Sequence, residues 1–377
     1  MSLGFSADED SFCGRTSGED NDCAAVLLPI VFFLRVWYNV GMKKKATAFI
    51  ILIIIFTCAV CACARTQETP VAAELSYWMD MIKDEALITE MAIPGAHDAG
   101  TKGMVSIRET QNKDFAGMLA DGARYFDVRL RQKGDGDIIF YHTYDAPLSY
   151  EEYLEDIEEF LTKHPTEFLI LDYQHRDPAE STFDAILFDM LEEALGKERI
   201  LCAPEGMSDI EFVNSLTLGQ ARGKVLVTLG ADELPEGYDF VMKRDTNEEG
   251  REGSVLHSPY VSDYNKKADS QEYIEKYLDE YIKMYSQFDG GICVLQCQLT
   301  QMILENTEAK HDENMSPWIR ALKTDKERLG AVNVIMRDYL NSKKCADIVA
   351  LNAAKGLVKE QRSEEFSALE EKFAAYD

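Results

Sequence analysis

Short apolar runs separated by stretches of helical periodicity recur from Leu75 to Leu357, and this alternation narrows the possible folds more than any other feature of the chain. Parallel strands cannot be joined by a tight turn, so a chain that alternates in this way builds βα units with a helix in each crossover. Candidate strands are Ile88–Ile93, Arg124–Leu130, Ile138–His142, Phe168–Tyr173, Lys224–Leu229, Ile292–Gln296 and Ala331–Met336, with a weaker one near Val255. No Pro/Gly/Ser-rich linker and no block of charge interrupts the segment. It therefore reads as one domain, of a length that suits an α/β barrel, for which about 250 residues is typical. The predicted class is α/β: a single TIM-like (β/α) barrel, distorted or incompletely closed.

The clearest helix is Tyr150–Lys163. Ser149 and Glu152 are spaced as a capping box, Leu154, Ile157, Phe160 and Leu161 share one face, and Pro165 follows the end. A second helix, Gln271–Ser286, carries Tyr273, Tyr277, Tyr281 and Tyr285 at four-residue spacing beside Ile274, Leu278 and Ile282, and reads as an amphipathic packing face. Residues 358–377, rich in Glu and Lys, read as a solvated acidic helical tail.

Ahead of the domain, Met42 is followed by Lys43, Lys44 and Lys45, the apolar stretch Ala46–Ala64 and the polar RTQETP. That is the layout of a signal peptide, so residues 42–64 are expected to export the protein or anchor it in a membrane. Ala62-Cys63-Ala64 offers small residues for a signal peptidase. Val60-Cys61-Ala62-Cys63 resembles a lipobox that would leave Cys63 lipidated. Residues 1–41 are expected to be a leader or non-native extension with Met42 as the start, and 65–74 a short linker. The predicted location is outside the cell or on the outer face of its membrane.

The chain carries a formal net charge of −28. Nucleic-acid binding draws on Lys and Arg to neutralise phosphates, so this balance argues against it. No His/Cys cluster has zinc spacing, and Cys293 and Cys297, on one face of a strand, sit too far apart for a relaxed disulfide. These thiols read as buried and inert, and His164, His257 and His311 show no partner pattern.

Four of the candidate strands end in residues suited to phosphate chemistry. His97 and Asp98 follow the first, Asp127 and Arg129 lie on the second, His142 closes the third, and Asp338 follows the last. In a parallel barrel such ends converge on one mouth. A phosphodiester that expels an alkoxide needs a proton donor, and an attacking hydroxyl needs an acceptor. Two imidazoles supply both near neutral pH, while a guanidinium stabilises charge gathering on the phosphoryl oxygens.

The motif IPGAHDAGT (Ile93–Thr101) resembles the first catalytic motif of the phosphatidylinositol-specific phospholipase C X domain, and ARYFDVRLR, IIFYHTYD, HPTEF, LTLGQARGKVLVTLG (Leu216–Gly230) and VIMRDYLN (Val334–Asn341) follow in the family's order. The resemblance is to the bacterial members and spans 75–357. It implies that His97 is the general base toward an inositol 2-hydroxyl, oriented by Asp338. It also implies that His142 is the general acid, held by Asp98, and that Arg129 clamps the phosphate, giving diacylglycerol and a cyclic inositol phosphate.

Calcium-dependent animal relatives place carboxylates and an asparagine where an ion needs hard oxygen ligands; here the matching positions are Asp98, Asp127 and Arg129. A cation in that position repels a metal, so no metal and no cofactor are expected. Asp135-Gly136-Asp137 reads as a hairpin turn rather than as ligands. Where the family grips inositol with basic residues, this chain has Gln174-His175-Arg176 and Leu229-Gly230-Ala231. Asp127, Gln174, His175 and Arg176 are the substrate-binding candidates. Thr143 stands where the family usually has glycine, and Ala96 and Ala99 replace hydroxyl residues. The loop Lys102–Asp114, where bilayer-active members present a tryptophan, offers Met104, Val105 and Ile107. The expected partner is a phospholipid or inositol phosphodiester at a membrane surface, met by a monomer. The competing readings are a surface protein that binds inositol lipid or glycan without cleaving it, and a metal-dependent glycerophosphodiesterase-like enzyme.

Overall fold

Ten strands form a single sheet in the computed structural model, which describes residues 75–105, 108–134, 136–245, 252–259, 276, 279–284, 290–298 and 315–374. They are β1 (Ile93–Ala96), β2 (Tyr125–Gln132), β3 (Ile138–His142), β4 (Tyr144–Ser149), β5 (Leu169–Asp177), β6 (Val225–Leu229), β7 (Val241–Asp245), β8 (Ser254–His257), β9 (Ile292–Gln296) and β10 (Val334–Arg337). The leader 1–64, the linker 65–74, Tyr273, Tyr277, Tyr285, His311, Ile107 and Asp135 lie outside the described residues.

Eight strands pair in parallel in the order β1-β10-β9-β8-β7-β6-β5-β2. A further parallel pairing, Gly95↔Tyr125 and Ala96↔Phe126, joins β2 back to β1. The barrel is thus closed, which corrects the expectation of incomplete closure. The seam is short because β2 outruns β1: past the seam, Leu130–Gln132 pairs antiparallel with β3 on one edge while Leu130 and Arg131 stay paired with β5 on the other. Closure removes the open edges that a curled sheet would otherwise expose.

Three strand expectations are corrected by this topology. Ile138–His142 is not a barrel strand; it forms an antiparallel hairpin with β2 and β4 above the rim. The eighth barrel member is β7, whose sequence VMKRD has too little apolar character to announce a strand. Finally, the first strand starts at Ile93 rather than Ile88, because the side-chain amide of Asn333 holds the carbonyls of Ile88 (3.0 Å) and Met91 (2.6 Å) in a turn-rich approach.

Alternation along β2 divides its side chains between the two faces of the wall. Phe126 packs outside against Phe115 at 5.7 Å between centroids, and Phe115 also meets Tyr153 and Phe140 at 4.4 and 4.9 Å. Each such pair is worth about 0.5–1.5 kcal/mol beyond its area. Tyr153 comes from the Tyr150–Lys163 helix, which has the expected bounds and capping box and buries Tyr150, Tyr153, Leu154, Ile157, Phe160 and Leu161. Inside the barrel, Asp172 of β5 accepts from Tyr125 (2.6 Å) and Thr228 (2.8 Å) and forms an ion pair with Arg244 (3.1 Å), so the interior is polar well below the mouth.

At the base, the buried Arg124 guanidinium pairs with Glu167 at 2.7 and 2.9 Å and donates to the carbonyls of Leu119, Ala123 and Ser76. The C-terminal helix Ser363–Ala374 is more than a solvated tail, since Phe366 and Leu369 are buried in the main core. Cys293, Cys297 and Cys345 are buried free thiols, whereas Cys202 is exposed. Among the described residues no helix is long and apolar enough to cross a membrane.

Candidate active site

His97, Asp98, Asp127, Arg129, His142 and Asp338 meet at the mouth. Strand β1 ends at Ala96, and the chain turns sharply at Asp98, whose φ of +43° lies in the left-handed region. The turn carries His97 toward the end of β10, where its Nδ1 lies 2.7 Å from Asp338 Oδ1. The turn is also packed tightly: a Cβ on Gly100 would lie 2.0 Å from the Phe140 ring, and one on Gly95 would lie 2.8 Å from the Tyr125 ring. The glycines of IPGAHDAG therefore admit aromatic rings from β3 and β2.

Opposite His97, Arg129 projects from β2. Its guanidinium pairs with Asp98 and with Asp127 (2.9 Å), donates to Gln174 Oε1 at 2.9 Å and reaches 3.3 Å from His97 Nε2. His142 stands at the tip of the β3–β4 hairpin with Nδ1 donating to the Arg108 carbonyl at 3.0 Å and 3.5 Å from Asp98 Oδ2. That same carboxylate oxygen lies 3.5 Å from His97 Nε2. One buried acid thus stands between the two imidazoles. The tip residue Thr143 has φ +67°, which explains why glycine suits this position: a β-branched side chain is strained in the left-handed region.

Burial by itself would push the His97 imidazole down, but the carboxylates of Asp98 and Asp338 outweigh it and raise its pKa from 6.5 to about 9. Burial would likewise raise Asp127, yet Arg129 and His97 hold it down at about 2. Arg129 loses solvation on burial and is nonetheless held above its ordinary value by Asp127 and Asp98, so it stays a fixed cation. Among the described residues, only His97, Asp98 and Asp127 are grouped closely enough to hold an ion, and Arg129 already lies against both carboxylates.

The substrate-binding candidates divide. Gln174 faces the cluster through Arg129. His175, near the end of β5, keeps one side in solvent, and partial loss of solvation together with the Arg129 charge lowers its pKa. Arg176 is not brought to the cluster, because its guanidinium pairs with Asp184 of the Ser181–Leu195 helix (2.5 Å) and donates to the Gly230 carbonyl. Asp127 is fully buried and bonds Arg129 and the Asp98 amide, so it orients the clamp. Sequence reasoning missed Arg108, Gln111 and the Asp172–Arg244 pair. The first acts through a backbone carbonyl, which no side-chain pattern reveals, and Arg244 lies on the unrecognised β7. It also missed the partner of His257, which is Asp245 at 3.0 Å on the neighbouring strand.

Fold and site together define a closed parallel (β/α) barrel with an imidazole pair, a bridging carboxylate and a partly buried guanidinium at its mouth. Residues 88–229 match the family model "Phosphatidylinositol-specific phospholipase C, X domain". Among curated proteins, the chain is 32% identical over 120 residues to the "1-phosphatidylinositol phosphodiesterase" of Staphylococcus aureus (strain Newman), covering 29% of this chain and 38% of that protein. It is 34% identical over 121 residues to the human "PI-PLC X domain-containing protein 2", covering 31% and 38% respectively. The matched stretch is thus well under half of either relative. Two solved structures share the fold at 18% identity. The phosphatidylinositol-specific phospholipase C from Listeria monocytogenes gives a TM-score of 0.55, and a Staphylococcus aureus phosphatidylinositol-specific phospholipase C gives 0.57; each comparison covers 74% of this chain and 98% of the other.

Proposed function

We propose that the protein is a metal-independent phosphodiesterase that cleaves phosphatidylinositol-type phosphodiesters to diacylglycerol and a cyclic inositol phosphate. The observation that carries this reading is the shared Asp98 carboxylate oxygen, 3.5 Å from each imidazole, with Arg129 on the same acid. It sets the two imidazoles on either side of one carboxylate that also holds the fixed cation.

In the proposed reaction His97 takes the proton of the inositol 2-hydroxyl on Nε2, since Nδ1 is engaged by Asp338. The freed oxygen attacks phosphorus and the bond to the diacylglycerol oxygen breaks. That oxygen takes a proton from His142, whose Nδ1 is tied to the Arg108 carbonyl, leaving Nε2 as the donor. Arg129 bears on the phosphoryl oxygens, where charge gathers, and supplies the positive charge that a metal provides in other phosphodiesterases. A base near 9 is deprotonated in about one molecule in a hundred at pH 7, so turnover is expected to rise with pH.

The exposed Val105 (63%) and Tyr144 (60%), the latter two residues from His142, favour a lipid interface over a soluble ester. Export through the 42–64 segment belongs to the same reading. N-terminal sequencing of protein recovered outside the cell tests it, with an uncut leader as the contrary result.

The decisive experiment is phosphorus NMR of the full chain with phosphatidylinositol in mixed micelles and excess chelator. A cyclic inositol phosphate signal that disappears in both His97→Ala and His142→Ala supports the reading. No product from a folded wild type overturns it, and product formed only after added divalent metal overturns the metal-independent part.

A further inference from the structure

We infer that Gln111 is a positioning residue that sets the His97–Asp338 geometry by clipping together the ends of β1 and β10. For its activity arm this inference rests on the proposed function.

The catalytic pair sits where the barrel ladder stops. The last paired residues of β1 and β10 are Ala96 and Arg337, and one further backbone bond, His97 N–H to the Arg337 carbonyl, is already long at 3.2 Å. Past that point the two chains diverge, and no strand pairing fixes His97 relative to Asp338. Gln111 bridges this gap with its side chain. Its Nε2 donates to the carbonyls of His97 and Arg337, both at 2.9 Å, and its Oε1 accepts from the Leu340 amide, also at 2.9 Å. The side-chain amide therefore acts as an extra peptide group laid across the seam, binding residues on both sides of Asp338. It has no solvent exposure, so each of these bonds is formed without competition from water.

Neighbouring contacts make Gln111 the centre of a small clamp. Tyr339, at φ +45°, donates its amide to the Thr110 carbonyl and its hydroxyl to the Glu109 carbonyl. Thr110 Oγ1 donates to the His97 and Asp98 carbonyls at 3.3 and 3.2 Å, and Lys344 Nζ donates to the Asp338 carbonyl at 2.8 Å. A strained Tyr339 needs over-determined surroundings, and these bonds provide them. Part of the loop that follows the first histidine motif thus serves the chemistry from behind rather than facing a bilayer.

The groups that face the His97 ring are Asp98, Asp127, Arg129 and Asp338. Loosening the clip acts first on the contact with Asp338, because that pair spans the seam the clip closes. The test uses the full chain and its Gln111→Met variant, of similar length but without hydrogen bonds. NMR titration follows the His97 imidazole, identified by its loss in His97→Ala. The expected result is a midpoint moved down from about 9 by one pH unit or more, with kcat lower by about 10- to 100-fold and KM unchanged. A folded variant whose midpoint stays at about 9 overturns the inference, whether or not kcat falls. Should Gln111→Met fail to fold, Gln111→Asn, a neutral amide one methylene too short to span both strand ends, is read in the same two ways. The titration decides even where the wild type turns over no inositol lipid.

Discussion

Replacing Asp338 by Asn removes the charge beside His97 while keeping an acceptor at the position that now lies 2.7 Å from Nδ1. In the wild type, burial works against the imidazolium, and Asp98 and Asp338 together turn that deficit into a rise from 6.5 to about 9. That difference corresponds to about 3 kcal/mol in favour of the charged form. With Asp338 neutral, Asp98 and the more distant Asp127 are left to oppose burial and the Arg129 cation, so the His97 midpoint is expected to fall well below 9. Because the folded value exceeds the unfolded one, His97 stabilises the fold fully below pH 6.5 and loses that contribution as pH rises through about 9. Denaturant titrations should therefore separate wild type from Asp338→Asn by up to about 3 kcal/mol at pH 6 and by little above pH 9. The midpoint is read directly by NMR, and the pH–rate curve should shift its acid limb in the same direction. A variant midpoint that remains above 8 would refute the assignment of Asp338 as the group that charges His97.

Four further outcomes are expected. For the wild type, kcat/KM should climb from pH 6 to about 9, and a profile already flat at pH 7 would contradict the raised His97. Arg129→Lys should lower kcat by about 100-fold or more, because an ammonium cannot reach Asp98, Asp127 and Gln174 as one planar fork does; steady-state kinetics check it. Arg124→Met should cost about 3–5 kcal/mol in urea unfolding by stranding Glu167, and most of this should return in the Arg124→Met/Glu167→Leu double variant. Thr143→Gly should relieve strain of about 1 kcal/mol or more at φ +67°, visible as a raised unfolding midpoint with turnover retained.

The sequence was informative wherever one physical signal dominated locally. The Tyr150–Lys163 helix was readable to its ends because a capping box, an apolar face and a following proline agree. β9 and β6 were readable because strands buried on both faces are continuous apolar runs. β7 was not, since Arg244 pairs with Asp172 in a polar interior and the apolar signal vanishes where the barrel lining carries charge. The hairpin strand β3 was recognised as a strand but assigned to the ring, because periodicity reports a strand's faces and says nothing about its neighbours.

For the site, residue type at the strand ends together with the family resemblance named His97, Asp98, Arg129, His142 and Asp338 as candidates, since few side chains can donate, accept or neutralise in phosphodiester chemistry. What only the tertiary structure decided is how these groups act on one another. Closure through Gly95↔Tyr125 brings β1 and β2 side by side, and with them His97 to Arg129. The hairpin delivers His142 to Asp98 from above the rim. Arg176 is withdrawn to Asp184 although its sequence position matches Gln174 in promise. The clip made by Gln111 joins residues 226 and 229 positions away along the chain. Contacts of that kind depend on distance in space, and a pKa such as that of His97 depends on the sum of such contacts, so neither is written in local sequence.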